Sequence, residues 1–120
     1  MKSHPDDIAR SIEGHNHHNL ALRDDLLQKG IVLDDPRAVE LHFWSAEQRD
    51  AALLAKALYH SGFLILVLAP NEQEDGRVLW NVEAGLKEPV SKVISSEFTE
   101  RMVRLAAEHS SEFDGWGTNV

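Results

Sequence analysis

The stretch Glu112-Phe113-Asp114-Gly115-Trp116-Gly117-Thr118 sets the arrangement of the rest of the chain, because it supplies a last strand with two different faces. Asp114-Gly115 is a turn signal, since glycine adopts positive φ and aspartate hydrogen-bonds to its own backbone. In an extended segment, Gly115 and Gly117 lie on the face opposite Trp116, and that bare face allows another backbone or ring to come close. Trp116 is either a plug in the core or an anchor for a partner.

The sequence before this strand alternates between helical and strand patterns. Residues 37–44 have the period of two that is typical of a strand, with Val39, Leu41 and Phe43 alternating with Glu40, His42 and Trp44. The segment Ser45-Ala46-Glu47-Gln48 has the pattern of a capping box, which predicts that Ser45 caps the following helix. The further predicted elements are strands at 63–68 and 77–84 and helices at about 16–29, at 46–60, and from residue 91 or 95 to residue 109.

This order, a helix followed by βαββαβ, predicts an α+β fold of the ferredoxin-like type. Such a fold has a four-stranded antiparallel sheet with two helices on one face, here preceded by an extra N-terminal helix. Strand 63–68 is apolar at every position, so we expect both of its faces to be covered. The leading helix and a second copy of the protein are the two candidate covers for the other sheet face. Residues 1–14 are expected to be a loosely ordered N-terminal segment, and residues 15–120 a single domain.

The composition limits the classes of function. Acidic residues outnumber lysine and arginine by 20 to 12, which gives a net charge of -8. This charge disfavours direct binding to nucleic acid and favours a basic protein partner. The chain has no cysteine, no apolar run long enough for a membrane span, and a polar, acidic N-terminus unlike a signal peptide. We therefore expect a cytoplasmic protein without disulfides or thiolate chemistry.

Three pieces of the sequence carry a family resemblance. Phe113-Asp114-Gly115-Trp116-Gly117-Thr118 follows a helix, Val39-Glu40-Leu41-His42-Phe43-Trp44 precedes an acidic, alanine-rich helix, and the leading helix ends at Gly30 before an Asp-rich link. In these features the chain, from about Asn16 to Thr118, resembles the bacterial family of the ribonuclease E inhibitor RraB, regulator of ribonuclease E activity B. The enterobacterial members carry a long acidic tail beyond this motif, whereas this sequence has two residues after Thr118.

The resemblance implies a ferredoxin-like fold and regulation through protein contact. A member of this family binds ribonuclease E outside its catalytic chemistry and lowers its activity on some transcripts, with no cofactor and no catalysis of its own. For this chain we expect the contact surface to centre on Asp114, Trp116 and the strand face of Glu40, His42 and Trp44. A different hypothesis is a module that only forms homodimers, with the open sheet face as the dimer interface.

Two alternative functions use the same sheet face. Glu40 and His42, with His60 or Glu83 nearby, could form the acid–base pair of a small enzyme, but no nucleophile with its own base and no phosphate-binding glycine loop is visible. RNA binding would require exposed aromatic residues, for which Trp44 and Trp80 are candidates, but Glu40 and Glu83 would repel phosphate.

A histidine cluster near the N-terminus suggests a metal site. His15 and His18 are three residues apart, so they could share a helix face, and Asp6 or Asp7 could be a third ligand. A zinc site needs three or four ligands in fixed geometry, and the usual HExxH order is absent. We therefore expect His15, His17 and His18 to form a solvated, partly frayed helix start without a metal.

Overall fold

The protein, here a computed structural model that describes residues 4–119, is built from eight elements. They are α1 (Pro5–Gln28), β1 (Pro36–Ser45), α2 (Gln48–His60), β2 (Leu64–Glu72), β3 (Val78–Pro89), α3 (Val90–Val93), α4 (Ser96–Glu108) and β4 (Ser111–Thr118). The strands form one antiparallel sheet in the order β2-β3-β1-β4. This confirms the predicted ferredoxin-like α+β fold with an N-terminal helix in front.

The core lies between the sheet and the helices. Val39, Leu41 and Phe43 of β1 point to this side and are almost completely buried, as the alternating pattern predicts. Leu54 of α2 and Met102 of α4 are fully buried against the same side. Each such side chain contributes about 1.5–3 kcal/mol through burial, so this layer is the main source of stability.

Helix α1 begins earlier than the sequence pattern predicts, at Pro5 instead of near residue 16. His4 caps it by accepting a hydrogen bond from the backbone of Asp6, and proline fits the first helical turn because its missing N–H needs no partner there. Residues 5–14 are thus helical, where the composition predicts a loosely ordered segment, and Ile8 and Ile12 pack against the core. Within residues 4–119, no helix, α1 included, is long and apolar enough to cross a membrane.

Two of the six residues on the buried side of α1 are polar. Successive residues on this side are four and three positions apart, in the order Ile8, Ile12, His15, Asn19, Leu22 and Leu26. This spacing keeps them on one helix face. Leu20 and Leu27, which the apolar pattern places on the buried side, are each 52% exposed. The face contacts α4 and β4, so α1 joins the helical layer and does not cover the other side of the sheet.

Strand β2 lies at the edge of the sheet and pairs only with β3. Three of its leucines are exposed, so the expectation that both faces of this apolar strand are covered is wrong. Leu64, Leu66 and Leu68 are 63%, 46% and 43% exposed, while Ile65 is partly buried against the core. The apolar run does not distinguish a central strand from an edge strand, because it records side chains and not strand neighbours.

Ser45 is not the cap of α2. It is the last residue of β1, its side chain is 2% exposed, and its hydroxyl hydrogen-bonds to the hydroxyl of Ser111 in β4. The cap position of α2 is Glu47, whose side chain makes no capping hydrogen bond. The capping-box prediction is wrong because β1 continues one residue further than its apolar pattern.

The two roles considered for Ser45, a buried strand residue and a helix cap, predict different effects of mutation on stability. Ser45→Ala is expected to lower the free energy of unfolding by about 1 kcal/mol, because it removes one buried hydrogen bond while Ser111 keeps its bond to the His109 carbonyl. Gln48→Ala is expected to change it by less than about 0.5 kcal/mol, as for an ordinary surface substitution. Urea denaturation of both variants measures these values. A loss of about 1 kcal/mol for Gln48→Ala would favour the capping box instead.

Candidate functional site

The side of the sheet opposite the helices has no covering element within residues 4–119, and we call it the open face. Glu40, His42 and Trp44 point to it, because they alternate with the buried residues of β1. Strand pairing adds residues from both neighbours of β1 and from β2. The open face includes Ala38, Glu40, His42, Trp44, Leu64, Leu66, Val67, Ala69, Asn81, Glu83, Gly85, Lys87, Glu112, Gly115 and Gly117.

The centre of the open face is a histidine between two carboxylates. His42 Nδ1 lies 2.8 Å from Glu83 Oε1, and His42 Nε2 lies 3.9 Å from Glu40 Oε2. Glu83 is directly opposite His42 on β3, and Glu40 is two residues before it on β1. The side chains of His42, Glu83 and Glu40 are 32%, 24% and 57% exposed. Of the two neighbours that the sequence suggests for His42, which are His60 and Glu83, the strand register selects Glu83.

Next to this cluster, on the side of β4, the sheet surface carries no side chains. Gly117 and Gly115 of β4 pair with Glu40 and His42, so no side chain stands next to them there. Asp114 is the extra residue of the bulge in β4 and is exposed next to Gly115. On the other side, Gly85 pairs with Glu40, but the Leu66 side chain lies over it. The free approach to Glu40 and His42 is therefore from the β4 side.

Trp116 is separated from the other residues of the predicted contact surface. It pairs with the buried Leu41, so it lies on the helix side of the sheet, where it is partly buried against the core. Its indole N–H donates to Asn19 Oδ1 (2.8 Å), and Asn19 Nδ2 donates to Thr99 Oγ1 (3.1 Å). Asn19 and Thr99 are 4% and 1% exposed. Trp116 thus belongs to a buried polar link between α1, α4 and β4, with the glycines on the opposite face as predicted.

The N-terminal histidines do not converge on a metal site. His15 Nε2 donates to the carbonyl of Phe113 (2.9 Å) and its ring lies 4.8 Å from the ring of Phe113. His17 and His18 are exposed. His15 is therefore a structural contact between α1 and β4, which neither the metal reading nor a frayed helix start predicts. In the described part of the chain, Glu40, His42 and Glu83 are the one group with three clustered metal-ligand atoms.

Two cavities of the described part of the chain lie away from the open face. One is a depression of about 800 Å³ between α1 and the start of α4, lined by residues that include Arg10, Asn16 and Ile94. The other holds about 50 Å³ between α1, α4 and β4. His42 lines neither of them. Ligand-binding sites of small-molecule enzymes are usually concave and enclosing, so this geometry favours a contact surface over a substrate pocket.

The aromatic residues considered for RNA binding do not share a face. Trp44 lies on the open face, whereas Trp80 is paired with the buried Ser45 and packs against the core. Two bases could not stack on both rings in the way that single-stranded RNA binds to a sheet. Trp44 also lies directly opposite Glu112, which adds a negative charge where phosphate would lie.

Two comparisons with known proteins agree on one family. Residues 16–118 match the family model described as "Regulator of ribonuclease activity B". The chain is also 29% identical over 93 residues to the protein "Regulator of ribonuclease activity B" of Pseudoalteromonas translucida (strain TAC 125), which covers 78% of this chain and 84% of that protein. The matched residues include all four strands and therefore the whole open face.

Proposed function

This chain belongs to the family of regulators of ribonuclease activity B, and on that basis we propose that it is a non-catalytic regulator that acts by binding a ribonuclease. The partner is ribonuclease E, and binding lowers its activity and so modulates RNA degradation. The contact surface is the open face, with Glu40, His42 and Trp44 at its centre and Asp114 at its border. Trp116 supports this surface from the opposite side of the sheet.

The observation that carries the proposal is the absence of a cover on the open face within residues 4–119. Leu64 and Leu66 are exposed there, at 63% and 46%, and the partly buried Trp44 lies on the same face. Exposed apolar side chains that lie together usually mark an interaction surface, and tryptophan is a preferred anchor in protein interfaces. The face thus offers both an apolar contact and a large aromatic side chain to a partner.

The charge of the face indicates the chemistry of the partner. The acidic side chains of the face are Glu40, Glu83 and Glu112, with Asp114 exposed at its border, and they outnumber its one lysine, Lys87. The whole chain has a net charge of -8. Carboxylates repel phosphate but attract lysine and arginine side chains, so a basic protein segment fits and RNA itself does not. The regulator would therefore act on the nuclease and not by shielding its substrate.

The enzyme alternative rests on the 2.8 Å contact between His42 and Glu83. A histidine next to a carboxylate can act as a general base when a substrate is held against it. His42 and Glu83 line neither of the two cavities described above, and the glycines of β4 leave the adjacent sheet surface without side chains that could enclose a substrate. This geometry weighs against catalysis.

Binding to purified ribonuclease E from the same organism tests the proposal. The protein is titrated against the full-length nuclease and against its catalytic region alone, at a low and a high salt concentration, and RNA cleavage is measured in parallel. We expect saturable binding to the full-length nuclease, weaker binding at high salt, and slower cleavage. Salt weakens the interaction because it screens the attraction between the acidic face and a basic segment.

Two outcomes would contradict the proposal. Absence of binding at tens of micromolar would exclude ribonuclease E as the partner, and unchanged cleavage in a saturated complex would exclude inhibition. Light scattering of the free protein tests the alternative that a second copy occupies the open face. A dimer that is disrupted by Trp44→Ala would favour the dimer module, whereas a monomer leaves the face free for the nuclease.

A further inference from the structure

The cluster at the centre of the open face has the composition of a metal site. We propose that Glu40, His42 and Glu83 bind a first-row divalent transition-metal ion, for which Zn²⁺ is the probe. One ring nitrogen of His42 and one oxygen from each carboxylate are the ligands, and water completes the coordination on the solvent side. This proposal does not depend on the partner or on the regulatory function.

The separations of the three ligand atoms fit a single ion. One ligand atom from each residue lies within 4.8 Å of the other two. In the closest contacts, Glu83 Oε1 approaches Nδ1 of His42 at 2.8 Å and Glu40 Oε2 approaches Nε2 at 3.9 Å, so one carboxylate has to turn toward the ring nitrogen that binds the ion. Two ligands of one ion with bonds of about 2.0–2.1 Å lie about 3.0–3.4 Å apart, depending on the coordination geometry. Binding therefore requires rotation of one of the side chains of Glu40 and Glu83, which are 57% and 24% exposed, so that both carboxylates reach the same ring nitrogen.

The backbone fixes these three residues on one face. Glu40 and His42 are two positions apart on the central strand β1, and Glu83 stands opposite His42 on β3. Both strands are paired on each side, so they are held more firmly than an edge strand or a loop. A site on paired strands keeps its ligands close together before the ion binds, which reduces the ordering that binding requires.

The cluster carries negative charge without a basic partner. Among residues 4–119, the only ion-pair contact of Glu40 and of Glu83 is with His42, and neither carboxylate pairs with lysine or arginine. Neutral histidine leaves two carboxylates facing each other across one ring. A divalent cation would remove this repulsion and would use the imidazole as a neutral ligand.

Space for the ion and its water lies beside β4. A side-chain atom built on Gly117 would still be 4.0 Å from its nearest neighbour, His42 Nε2, and Gly115 has no neighbour within that range. No protein side chain therefore competes for this volume. The mixture of one imidazole and two carboxylates favours zinc-like ions over Mg²⁺, because Mg²⁺ binds oxygen ligands in preference to nitrogen.

The experiment must separate this site from the exposed histidines of α1. Zn²⁺ is titrated by calorimetry into a parent variant with His17→Ala and His18→Ala, both of which are exposed positions outside the core. His42→Ala and Glu40→Gln are then introduced into this parent, and His60→Ala, an exposed histidine at the end of α2, is the matched control. Amide spectra by NMR locate the ion, with Gly117 and Glu83 as reporters.

The expected result is one Zn²⁺ per parent chain, with binding at least tenfold weaker in His42→Ala and in Glu40→Gln and unchanged in His60→Ala. Amide shifts should change at β1, β3 and Gly117 and not in α1. Equal binding in the parent and in His42→Ala would overturn the proposal, and so would the absence of binding below about 100 μM. Glu40→Gln keeps the shape of the side chain, so its result does not depend on whether His42→Ala alters the fold.

Discussion

Trp116→Ala is expected to lower the free energy of unfolding by about 3 kcal/mol, which corresponds to a melting temperature roughly 10 °C lower. The substitution removes a partly buried indole from the helix side of the sheet. It also leaves Asn19 Oδ1 without the donor that it accepts from at 2.8 Å, in a residue that is 4% exposed. A buried polar atom without a partner adds its own cost, about 1–3 kcal/mol, to the lost packing.

A double-mutant cycle separates the two causes. Trp116→Phe keeps most of the ring and removes the N–H, so its loss should be about 1–2 kcal/mol, and Asn19→Ala should give a loss of similar size. Because the two residues share one hydrogen bond, the double variant should be more stable than the sum of the single losses predicts. Thermal or urea unfolding supplies all four values. Strict additivity would show that the bond is not formed in solution.

Trp44→Ala is the matched control on the opposite face of the sheet. Trp44 points to the open face and no hydrogen bond of its side chain is present among the described residues. Its removal should therefore cost less stability than that of Trp116 and should instead weaken binding to the nuclease. Trp116→Phe should bind as the unmodified protein does when both are folded. The opposite pattern would place the contact surface on the helix side.

Glu40→Lys is expected to weaken binding to ribonuclease E at least tenfold at low salt, because it reverses a charge at the centre of the proposed contact surface. Glu40 is the most exposed of the three clustered residues, at 57%, and glycines pair with it on both sides. The lysine therefore has room without disturbing the core. The loss should become smaller at high salt, since screening removes part of the unfavourable interaction.

The control for this variant is Glu108→Lys, which makes the same change of net charge on α4, away from the open face. It should leave the dissociation constant within about a factor of two. An equal loss in both variants would mean that only the overall charge of the chain matters. No loss in either would exclude the open face as the contact surface. Circular dichroism of both variants checks that the fold is kept.

The face of each residue in β1 follows from the sequence, because alternation of apolar and polar residues is a local signal. Glu40, His42 and Trp44 are on one face for that reason. The partner of His42 is not a local property. Glu83 stands opposite it because of the register between β1 and β3, which depends on the pairing of whole strands.

The polar residues on the buried side of α1 explain why the apolar pattern does not predict the start of this helix. His15 and Asn19 occupy positions in a regular spacing that starts at Ile8 and continues to Leu26. A search for apolar residues alone stops at these two polar positions and begins the helix too late. Each of them has a specific partner in β4, Phe113 for His15 and Trp116 for Asn19. Taken without regard to polarity, the same spacing predicts the whole helix and places both residues on its buried side.

The contacts between α1 and β4 affect the order in which the protein can fold during synthesis. His15 and Asn19 meet residues 98 and 97 positions later in the chain. At about 5–20 residues per second, the ribosome takes roughly 5–20 seconds to proceed from the end of α1 to the end of β4. During this interval α1 has no strand to dock on, and an isolated helix with so few apolar residues is only marginally stable. Although α1 is synthesised before the other elements described here, it is therefore among the last of them to reach its place, and β4 both completes the sheet and holds α1 in position.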